Sequence, residues 1–363
     1  MTFSRALISA GAVILLSSTA ALTAEVRLYS WADYFGSKSV EQFSEKTGVK
    51  VVYDVFDSND LAETKLLSGK SGYDLVTPNA APHFDRQLKA GLWAKIDKSK
   101  LKNIGNVDPA ISAKVAKIDP GTEHSVPWMW GTTGIIYNAD KIKEIMPDAP
   151  VSSWRMLFDP KIVSKFEKCG VVMLDDAEQV LGAALIHLGK SINTATKADL
   201  DEAVALVKAV RPHVRKFHSS EYVNGFASGD YCLGLGFSGD SHIAGLRAAE
   251  AGQKFKISYS LPPEGALMYF DVFAIPADAP NTEAAHSFID FMLLPDVAAT
   301  AANETGFSTT NGAAAKLIEA GVKDNPNLYP TGSMIDKLTV PRTLDQKELR
   351  QWTTAWQAVK GER

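Results

Sequence analysis

Three segments of the sequence place an aromatic ring beside a carboxylate, a combination that suits an organic cation. The ring face attracts an ammonium group and covers the neighbouring methylenes, while the carboxylate accepts charge-assisted hydrogen bonds. One such segment alone is more simply explained by a structural aromatic residue beside a capping aspartate. Three together favour a site for an alkylammonium ligand. The segments are Trp31-Ala32-Asp33-Tyr34, Gly236-Phe237-Ser238-Gly239-Asp240 and Tyr269-Phe270-Asp271.

Further carboxylates cluster at the start of a predicted helix. Asp175, Asp176 and Glu178 could serve as general acid and base or bind a divalent cation. Alternatively, they lie in the first helical turn because the positive end of the helix dipole stabilises them. A third interpretation places Asp176 in a ligand pocket. The sequence leaves all three open.

Catalytic motifs are sparse. The seven histidines form no HExxH motif, and no serine lies in a GxSxG elbow. His218 precedes Ser219 and Ser220, so a hydrolase with His218 as its base is one alternative, and the carboxylates at 175–178 are another. Either requires spatial contacts that spacing does not establish.

Glycines at 234, 236 and 239 match the dinucleotide fingerprint GxGxxG after a predicted strand. A nucleotide site would need an acidic residue about twenty positions further on to hold the ribose. Residues 257–259 are not acidic. We expect the glycines to shape a loop that presents Asp240. No cofactor is predicted, and no CxxC motif or His/Cys cluster indicates a metal site.

The elements that position these residues alternate in type. Short apolar runs alternate with segments of helical periodicity, which indicates a doubly wound α/β fold whose ligands bind beyond the carboxyl ends of strands. The β-branched run Thr133–Asn138 is expected to carry the chain into a second lobe, since 363 residues exceed what one core usually serves. Predicted strands are Val26–Ser30, Val49–Val55, Tyr73–Thr77, Gly170–Leu174 and Tyr231–Gly236, with a further apolar run at Phe270–Ile275. Predicted helices are Ser39–Lys46, Leu61–Leu67, Phe84–Ala90, Ala177–Leu188, Lys197–Val210 with a Thr196/Asp199 capping box, and Glu283–Leu293 with an Asn281 cap.

The first 24 residues have the pattern of a signal peptide. Arg5 precedes the apolar run Ala6–Leu16 and the small-residue run Ser17–Ala24. No cysteine precedes Cys169, so a lipid-attachment site is not expected. The pattern predicts a cleaved, soluble protein of the periplasm. Its mildly acidic charge, −4 before the loss of Arg5, argues against nucleic acid or anionic lipid as a partner.

The chain has two cysteines, Cys169 and Cys232. Two are too few for a disulfide scaffold but sufficient for one bridge, which an oxidising compartment favours. Two separate buried thiols are the alternative.

Five stretches resemble a known family. They are Tyr29-Ser30-Trp31-Ala32-Asp33-Tyr34, Val51-Val52-Tyr53-Asp54-Val55-Phe56-Asp57-Ser58-Asn59, Pro127-Trp128-Met129-Trp130-Gly131-Thr132-Thr133-Gly134, Phe217-His218-Ser219-Ser220 and Phe270-Asp271-Val272-Phe273-Ala274. Together they resemble the substrate-binding proteins of bacterial polyamine ABC transporters, particularly the putrescine-binding branch. The resemblance implies a type II periplasmic binding protein fold with a hinge, a ligand in the cleft between two lobes, and a Cys169–Cys232 bridge.

The same resemblance assigns a set of ligand-binding residues. Asp240 and Asp271 are expected to accept from one ammonium group, and Asp33, with Asp176, to face the other end. Gln179 stands where the family has a pocket glutamate, which removes a formal negative charge there. The full set is Trp31, Asp33, Tyr34, Asn79, Asp176, Gln179, Phe237, Asp240, Tyr269, Asp271 and Phe307.

We therefore expect a monomeric binding protein, not an enzyme, that delivers putrescine or a related amine to the membrane permease of an ABC importer. An ω-amino acid such as γ-aminobutyrate is the alternative ligand, because Gln179 can donate to a carboxylate. A periplasmic hydrolase is the more remote alternative. The expected organisation is a signal peptide (1–24), the first segment of lobe 1 (25–132), lobe 2 (133–271), a return to lobe 1 (272–330) and a C-terminal helical segment (331–363).

Overall fold

The computed structural model of the chain describes residues 24–361. The predicted signal peptide lies outside the described residues except for Ala24. Within 24–361, every helix is too short or too polar to cross a membrane.

The described residues form an eleven-stranded mixed sheet covered by helices. The strands are β1 (Glu25–Ser30), β2 (Lys50–Val55), β3 (Leu75–Val76), β4 (Ser125–Asn138), β5 (Val171–Met173), β6 (Lys216–Phe217), β7 (Leu233–Phe237), β8 (Ile257–Ser260), β9 (Ala266–Ala274), β10 (Ser308–Thr309) and β11 (Leu338–Thr339). The α-helices are α1 (Ser37–Thr47), α2 (Asn59–Leu67), α3 (Asp85–Lys89), α4 (Pro109–Val115), α5 (Ala139–Ile145), α6 (Arg155–Phe158), α7 (Pro160–Val163), α8 (Ala177–His187), α9 (Lys197–Val210), α10 (Tyr222–Ser228), α11 (Ser238–Glu250), α12 (Thr282–Met292), α13 (Pro295–Thr305), α14 (Ala320–Lys323) and α15 (Gln346–Lys360).

Two long strands join the halves of the sheet. The first part of β4 pairs antiparallel with β9, from Ser125 opposite Ala274 to Thr133 opposite Leu267. The second part of β4 pairs with β7 and β8. The predicted run Thr133–Asn138 is therefore the second half of one strand that crosses between lobes. All of β4 except Tyr137 is buried, as expected for a strand covered on both faces.

Each lobe is built around parallel strands. In lobe 1, β1 pairs in parallel with β2 and β3. In lobe 2, β5 pairs in parallel with β6 and β7. The predicted two-lobed α/β architecture is confirmed. Since both lobes turn the carboxyl ends of their parallel strands toward one cleft, the residues after β1 and β7 meet there.

Amphipathic helices pack on the sheet in both lobes. In lobe 1, Phe43 of α1 meets Phe288 of α12 edge to face, with ring centroids 5.0 Å apart. In lobe 2, Leu185 of α8 and Val207 of α9 are fully buried. Burying one such side chain contributes about 1.5–3 kcal/mol. The predicted capping box of α9 and the Asn281 cap of α12 are confirmed.

One predicted helix is preceded by an additional helical turn. The predicted helix Phe84–Ala90 is α3, and it is preceded by a π-helical turn, Ala80–Phe84. Asn79 caps this turn by accepting from the Ala81 N–H at 3.1 Å. Pro82 is tolerated there because the first turn of a helix does not need its missing N–H. Short 3-10 segments lie at Lys98–Lys100, Ile104–Asn106, Pro120–Thr122, Ser164–Cys169, Ile192–Thr194, Arg211–His213, Gly312–Lys316 and Gly332–Lys337.

A disulfide joins Cys169 to Cys232, 63 residues apart, so the predicted bridge is confirmed. It ties the segment that ends before β5 to the start of β7, within lobe 2. The alternative of two separate thiols is wrong.

The C-terminal helix α15 packs against α8 and α9 of lobe 2. The Asp175 carboxylate accepts from the Trp356 indole at 3.2 Å and from Lys360 Nζ at 2.7 Å. The Asp175 side chain thus anchors α15.

Candidate functional site

A cleft with about 800 Å³ of empty space, including its opening to solvent, lies between the lobes. Residues that follow β1 and β7 line it, together with β9 and the first turn of α8. The structure brings all of the residues predicted for ligand binding to this one cleft. They are Trp31, Asp33, Tyr34, Asn79, Asp176, Gln179, Phe237, Asp240, Tyr269, Asp271 and Phe307.

Asp271 of β9 is a buried carboxylate with half of its hydrogen-bonding capacity unused. Its side chain is 3% exposed. Oδ2 accepts from the Tyr34 hydroxyl at 2.6 Å, whereas Oδ1 has no hydrogen-bond partner among the described residues. Burial raises the pKa of Asp271 to about 7, and the Tyr34 hydrogen bond opposes this only in part. The Asp271 carboxylate forms no ion pair with a basic side chain within residues 24–361.

Asp240 lies in the first turn of α11 and is held by a tyrosine. The Tyr222 hydroxyl donates to Asp240 Oδ2 and accepts from the Phe237 N–H at 3.1 Å. Burial raises the pKa of Asp240 to about 7, with a further contribution from Asp33, while Arg247 lowers it. Asp240 and Asp271 are therefore two buried acids whose ionised forms a cation would stabilise.

Aromatic rings surround these carboxylates. Phe237 and Tyr269 meet edge to face with centroids 5.3 Å apart. Trp31 packs on Phe56 at 4.5 Å, and its buried Nε1 has no hydrogen-bond partner among the described residues. The rings offer both apolar contact for methylenes and π faces for an ammonium group.

A second group of carboxylates occupies the start of α8. Asp176 caps the helix by accepting from the Gln179 N–H at 3.1 Å. Burial raises the pKa of Asp176. Burial, and then the neighbouring Asp176, raise the pKa of Glu178 well above its usual value. Glu178 lines the cleft beside Asp176. Asp176 and Glu178 therefore place two carboxyl groups at this end of the cleft, next to Gln179.

The Gln179 amide is engaged by protein groups on both sides. Oε1 accepts from the Thr133 hydroxyl at 2.5 Å, and Nε2 donates to Glu178 Oε1 at 3.4 Å. The side chain is buried. One of the two N–H groups of Nε2 is thus directed to Glu178, and the second remains as a donor.

Asp33 lines the cleft and forms an ion pair with an arginine. Its carboxylate pairs with Arg247 Nη2 at 2.7 Å and is about half exposed. It acts on the pKa of Asp240 rather than on that of Asp176. Arg247 reaches Asp33 from α11 of the other lobe, a contact that sequence separation conceals, and the role of Asp33 toward the ligand stays a prediction.

The residues considered for hydrolysis are not arranged as a nucleophile and base. His218 Nδ1 accepts from the Ser220 N–H at 3.1 Å and from the Glu221 N–H at 3.0 Å. The Ser220 hydroxyl donates to Asp57, and the Ser219 hydroxyl accepts from the Asp175 N–H. His218 thus stabilises the turn that precedes α10. Among residues 24–361, no cluster of His, Cys, Asp and Glu has the grouping of a metal site.

Several cleft residues were not selected from sequence. Phe56 and Asn59 belong to a stretch that carried the family resemblance, and Glu178 had been weighed only for catalysis or the helix dipole. Position after a strand was a usable signal for Phe56, which follows β2 directly. The unselected residues are Ala32, Phe56, Asn59, His83, Glu178, Ser219, Ser220, Val223 and Ile243.

Comparison with known proteins agrees with this geometry. The sequence model of the family described as bacterial extracellular solute-binding protein matches residues 38–331. The putrescine-binding periplasmic protein PotF of Escherichia coli is 43% identical over 356 residues, covering 97% of this chain and 96% of that protein. The putrescine-binding periplasmic protein SpuD of Pseudomonas aeruginosa is 41% identical over 336 residues, covering 92% and 91%. The structure of the spermidine/putrescine ABC transporter substrate-binding protein PotD from Streptococcus pneumoniae has a TM-score of 0.74 at 28% identity, covering 93% and 99%.

Proposed function

This chain belongs to the bacterial extracellular solute-binding proteins, and from that premise we propose that it captures putrescine or a closely related diamine in the periplasm and delivers it to an ABC importer. It is a binding protein, not an enzyme. Two of its relatives are named for putrescine binding and for a periplasmic location. The predicted signal peptide supports the same compartment for this chain.

The observation that carries the proposal is the buried, half-satisfied carboxylate of Asp271. A buried charge without a partner is costly. The unused Oδ1 and the raised pKa both make a cationic ligand the natural partner. Asp240 provides a second such carboxylate. One ammonium group can therefore donate a charge-assisted hydrogen bond to each of the two carboxylates.

The second carboxylate group supports a ligand with two amines. Asp176 and Glu178 face the same cleft from α8. We assign the second ammonium to them, and the methylenes between the two amines to Trp31, Phe237 and Tyr269.

The ω-amino acid alternative has less support. A ligand carboxylate at α8 would meet Asp176 and Glu178. The nearby Arg86 is already bound to Glu63 through two hydrogen bonds of 2.8 Å. Like charges without a free cation disfavour that ligand.

Calorimetric titration tests the proposal. Wild type should bind putrescine and return it chemically unchanged, and it should bind γ-aminobutyrate much more weakly. Asp240→Asn and Asp271→Asn should each weaken putrescine about tenfold to a hundredfold, since a hydrogen bond to a charged group contributes roughly 1.5–3 kcal/mol.

Asp148→Asn is the matched control, because it makes the same charge change on an exposed residue outside the cleft. Preference for γ-aminobutyrate, or wild-type affinity in both cleft variants, would overturn the assignment.

Delivery completes the proposed function. The protein acts as a monomer, and ligand binding favours the closed form that docks on the permease, because a ligand held by both lobes binds that form better. Size-exclusion chromatography with light scattering should give the monomer mass with and without putrescine. A dimer in either state would refute the monomer.

A further inference from the structure

The glycines of the GxGxxG pattern lie next to the carboxylate Asp240, and one of them makes a close contact between the lobes. Gly239 is in the first turn of α11 in lobe 2. A Cβ added to Gly239 would lie 2.5 Å from both Cγ and Cδ1 of Phe307 and 2.6 Å from Cδ2. Phe307 follows α13 of lobe 1. Because three ring atoms are nearly equidistant, the Phe307 ring lies face down on the glycine.

The ring is part of the cleft wall. Phe307 is 4% exposed and lines the cleft. Its other contact is Tyr34, edge to face with centroids 5.1 Å apart, and Tyr34 donates to Asp271. The position of this ring is thus coupled to Asp271 through Tyr34 and to Asp240 through Gly239, the preceding residue.

The need for glycine at 239 is one of space. The backbone there lies outside the left-handed region that favours glycine, unlike Gly306, whose φ is 71°. Gly236 is also closely approached: an added Cβ would lie 2.6 Å from Ile136 Cδ1 and 2.7 Å from Tyr222 Cε2. Tyr222 is the residue that holds Asp240. Two glycines of the pattern therefore give room to aromatic rings that support the two buried acids.

We propose that Gly239 is a positioning residue for ligand binding: by leaving room for the Phe307 ring against α11, it sets the width of the cleft beside Asp240 and Asp271. This proposal rests on the proposed function for its ligand. Ordinary contact between carbons requires about 3.5–4.0 Å, so a methyl group at 239 displaces the ring by roughly 1 Å or holds the lobes apart by as much. Either displacement disturbs the contacts of one ammonium group.

The test compares putrescine affinity in Gly239→Ala, Phe307→Leu and the double variant. Gly239→Ala should weaken binding at least about tenfold, since placement errors near 1 Å disrupt charge-assisted hydrogen bonds. The double variant should bind about as well as Phe307→Leu alone, because the smaller side chain accommodates the methyl group. Gly245→Ala is the matched control: it lies in the same helix, with nothing within 4 Å of an added Cβ, and should bind as wild type.

Wild-type affinity in Gly239→Ala, or an undiminished loss in the double variant, would overturn the proposal. Thermal melts of the same variants without ligand give a second readout. The effect of Gly239→Ala on Tm should be smaller when residue 307 is leucine. If the Tm changes of the two single variants simply add in the double variant, the proposed contact between Gly239 and Phe307 is contradicted. If wild type binds no amine, the proposed function fails, while the melts still decide whether Gly239 positions Phe307.

Discussion

At the scale of single residues, the site depends on acids that are buried before any ligand arrives. Asp240 and Asp271 have hydroxyl donors but no cation paired with them within residues 24–361. Their raised pKa values follow mainly from burial. In the proposed complex a ligand ammonium would supply the missing charge, so part of the binding free energy would come from relieving an unfavourable ligand-free state.

Affinity for putrescine should therefore depend on pH around 7. With the ligand-free pKa of both acids about 7, each must lose a proton to pair with an ammonium when the pH is lower. Affinity should be constant above about pH 8 and fall by up to tenfold per pH unit per carboxyl below about pH 6. The amines stay protonated throughout, since their pKa lies near 10.

Calorimetry in buffers of different ionisation enthalpy should show proton release at pH 6. Asp240→Asn should remove part of the pH dependence. It should also raise the Tm of the ligand-free protein at pH 8, because a folded pKa above the unfolded value of 3.8 makes the ionised group a cost that grows from about pH 4 to pH 7. A flat affinity profile between pH 5 and 8 would contradict this account.

Gln179→Glu should separate diamines from ω-amino acids. The new carboxylate lies beside Glu178 and Asp176. It should raise the affinity for putrescine by less than about tenfold, because repulsion keeps one of the three acids protonated. A ligand with a carboxylate at this end should bind the Gln179→Glu variant much less tightly than it binds wild type. Titration of putrescine and γ-aminobutyrate measures both changes.

Gln253→Glu adds the same charge at an exposed position outside the cleft and serves as the control. Unchanged affinity for both ligands in Gln179→Glu would show that this side chain does not act on the ligand.

At the scale of elements, β4 and β9 carry both structure and site. β4 pairs with β9 in its first part and with β7 and β8 of lobe 2 in its second part, so one continuous strand runs through both lobes. Asp271 lies on β9 and Thr133, which orients Gln179, lies on β4. Site residues on crossing strands keep their positions when the lobes move, whereas those after β1 and β7 move with their lobes.

The disulfide belongs to this scale because it stabilises lobe 2 without touching the cleft. Replacing both cysteines with alanine should lower the free energy of unfolding by about 2–4 kcal/mol, the range typical of one disulfide and close to the value of about 4 kcal/mol that chain entropy gives for a loop of 63 residues. Putrescine affinity should stay within about twofold, since neither cysteine lines the cleft. Urea unfolding and calorimetry measure the two quantities.

Wild type treated with reductant should lose the same stability as the alanine variant. A large loss of affinity with unchanged stability would contradict a purely structural bridge.

At the scale of the whole molecule, polar contacts join the lobes across the cleft. Asp33 pairs with Arg247, and the Ser220 hydroxyl donates to Asp57 at 2.7 Å. Each pair has one partner in each lobe. These contacts exist only when the lobes are close, so they contribute to the closed form.

Asp33→Asn should lower the affinity for every ligand by the same small factor. A half-exposed ion pair contributes about 0–1 kcal/mol, which is at most about fivefold in affinity, and salt should reduce the difference further. Arg247→Gln should have the same effect, and the double variant should add little to either. Titration of the three variants at low and high salt measures this.

A loss near a hundredfold for Asp33→Asn, not reproduced by Arg247→Gln, would instead place Asp33 on the ligand, as the sequence predicted. The two outcomes differ enough for a single titration series to separate them.

The sequence by itself determined the fold class and, with the family resemblance, the disulfide and eleven of the residues at the cleft. Hydrophobic periodicity is local, so it predicted β1 and α9, capping patterns predicted the starts of α9 and α12, and the rule that sites lie beyond strand ends placed Trp31 and Asp240 together. The family resemblance supplied residues such as Phe307, whose surroundings carry no local signal.

Only the tertiary structure decided which charges meet. Asp33 pairs with Arg247, 214 residues away, and Glu178 joins the cleft while its neighbour Asp175 anchors α15. The spacing that makes Gly239 necessary depends on Phe307 from the other lobe. Each of these contacts is made between segments distant in sequence, where local propensity carries no information and the packing of the two lobes sets the distance.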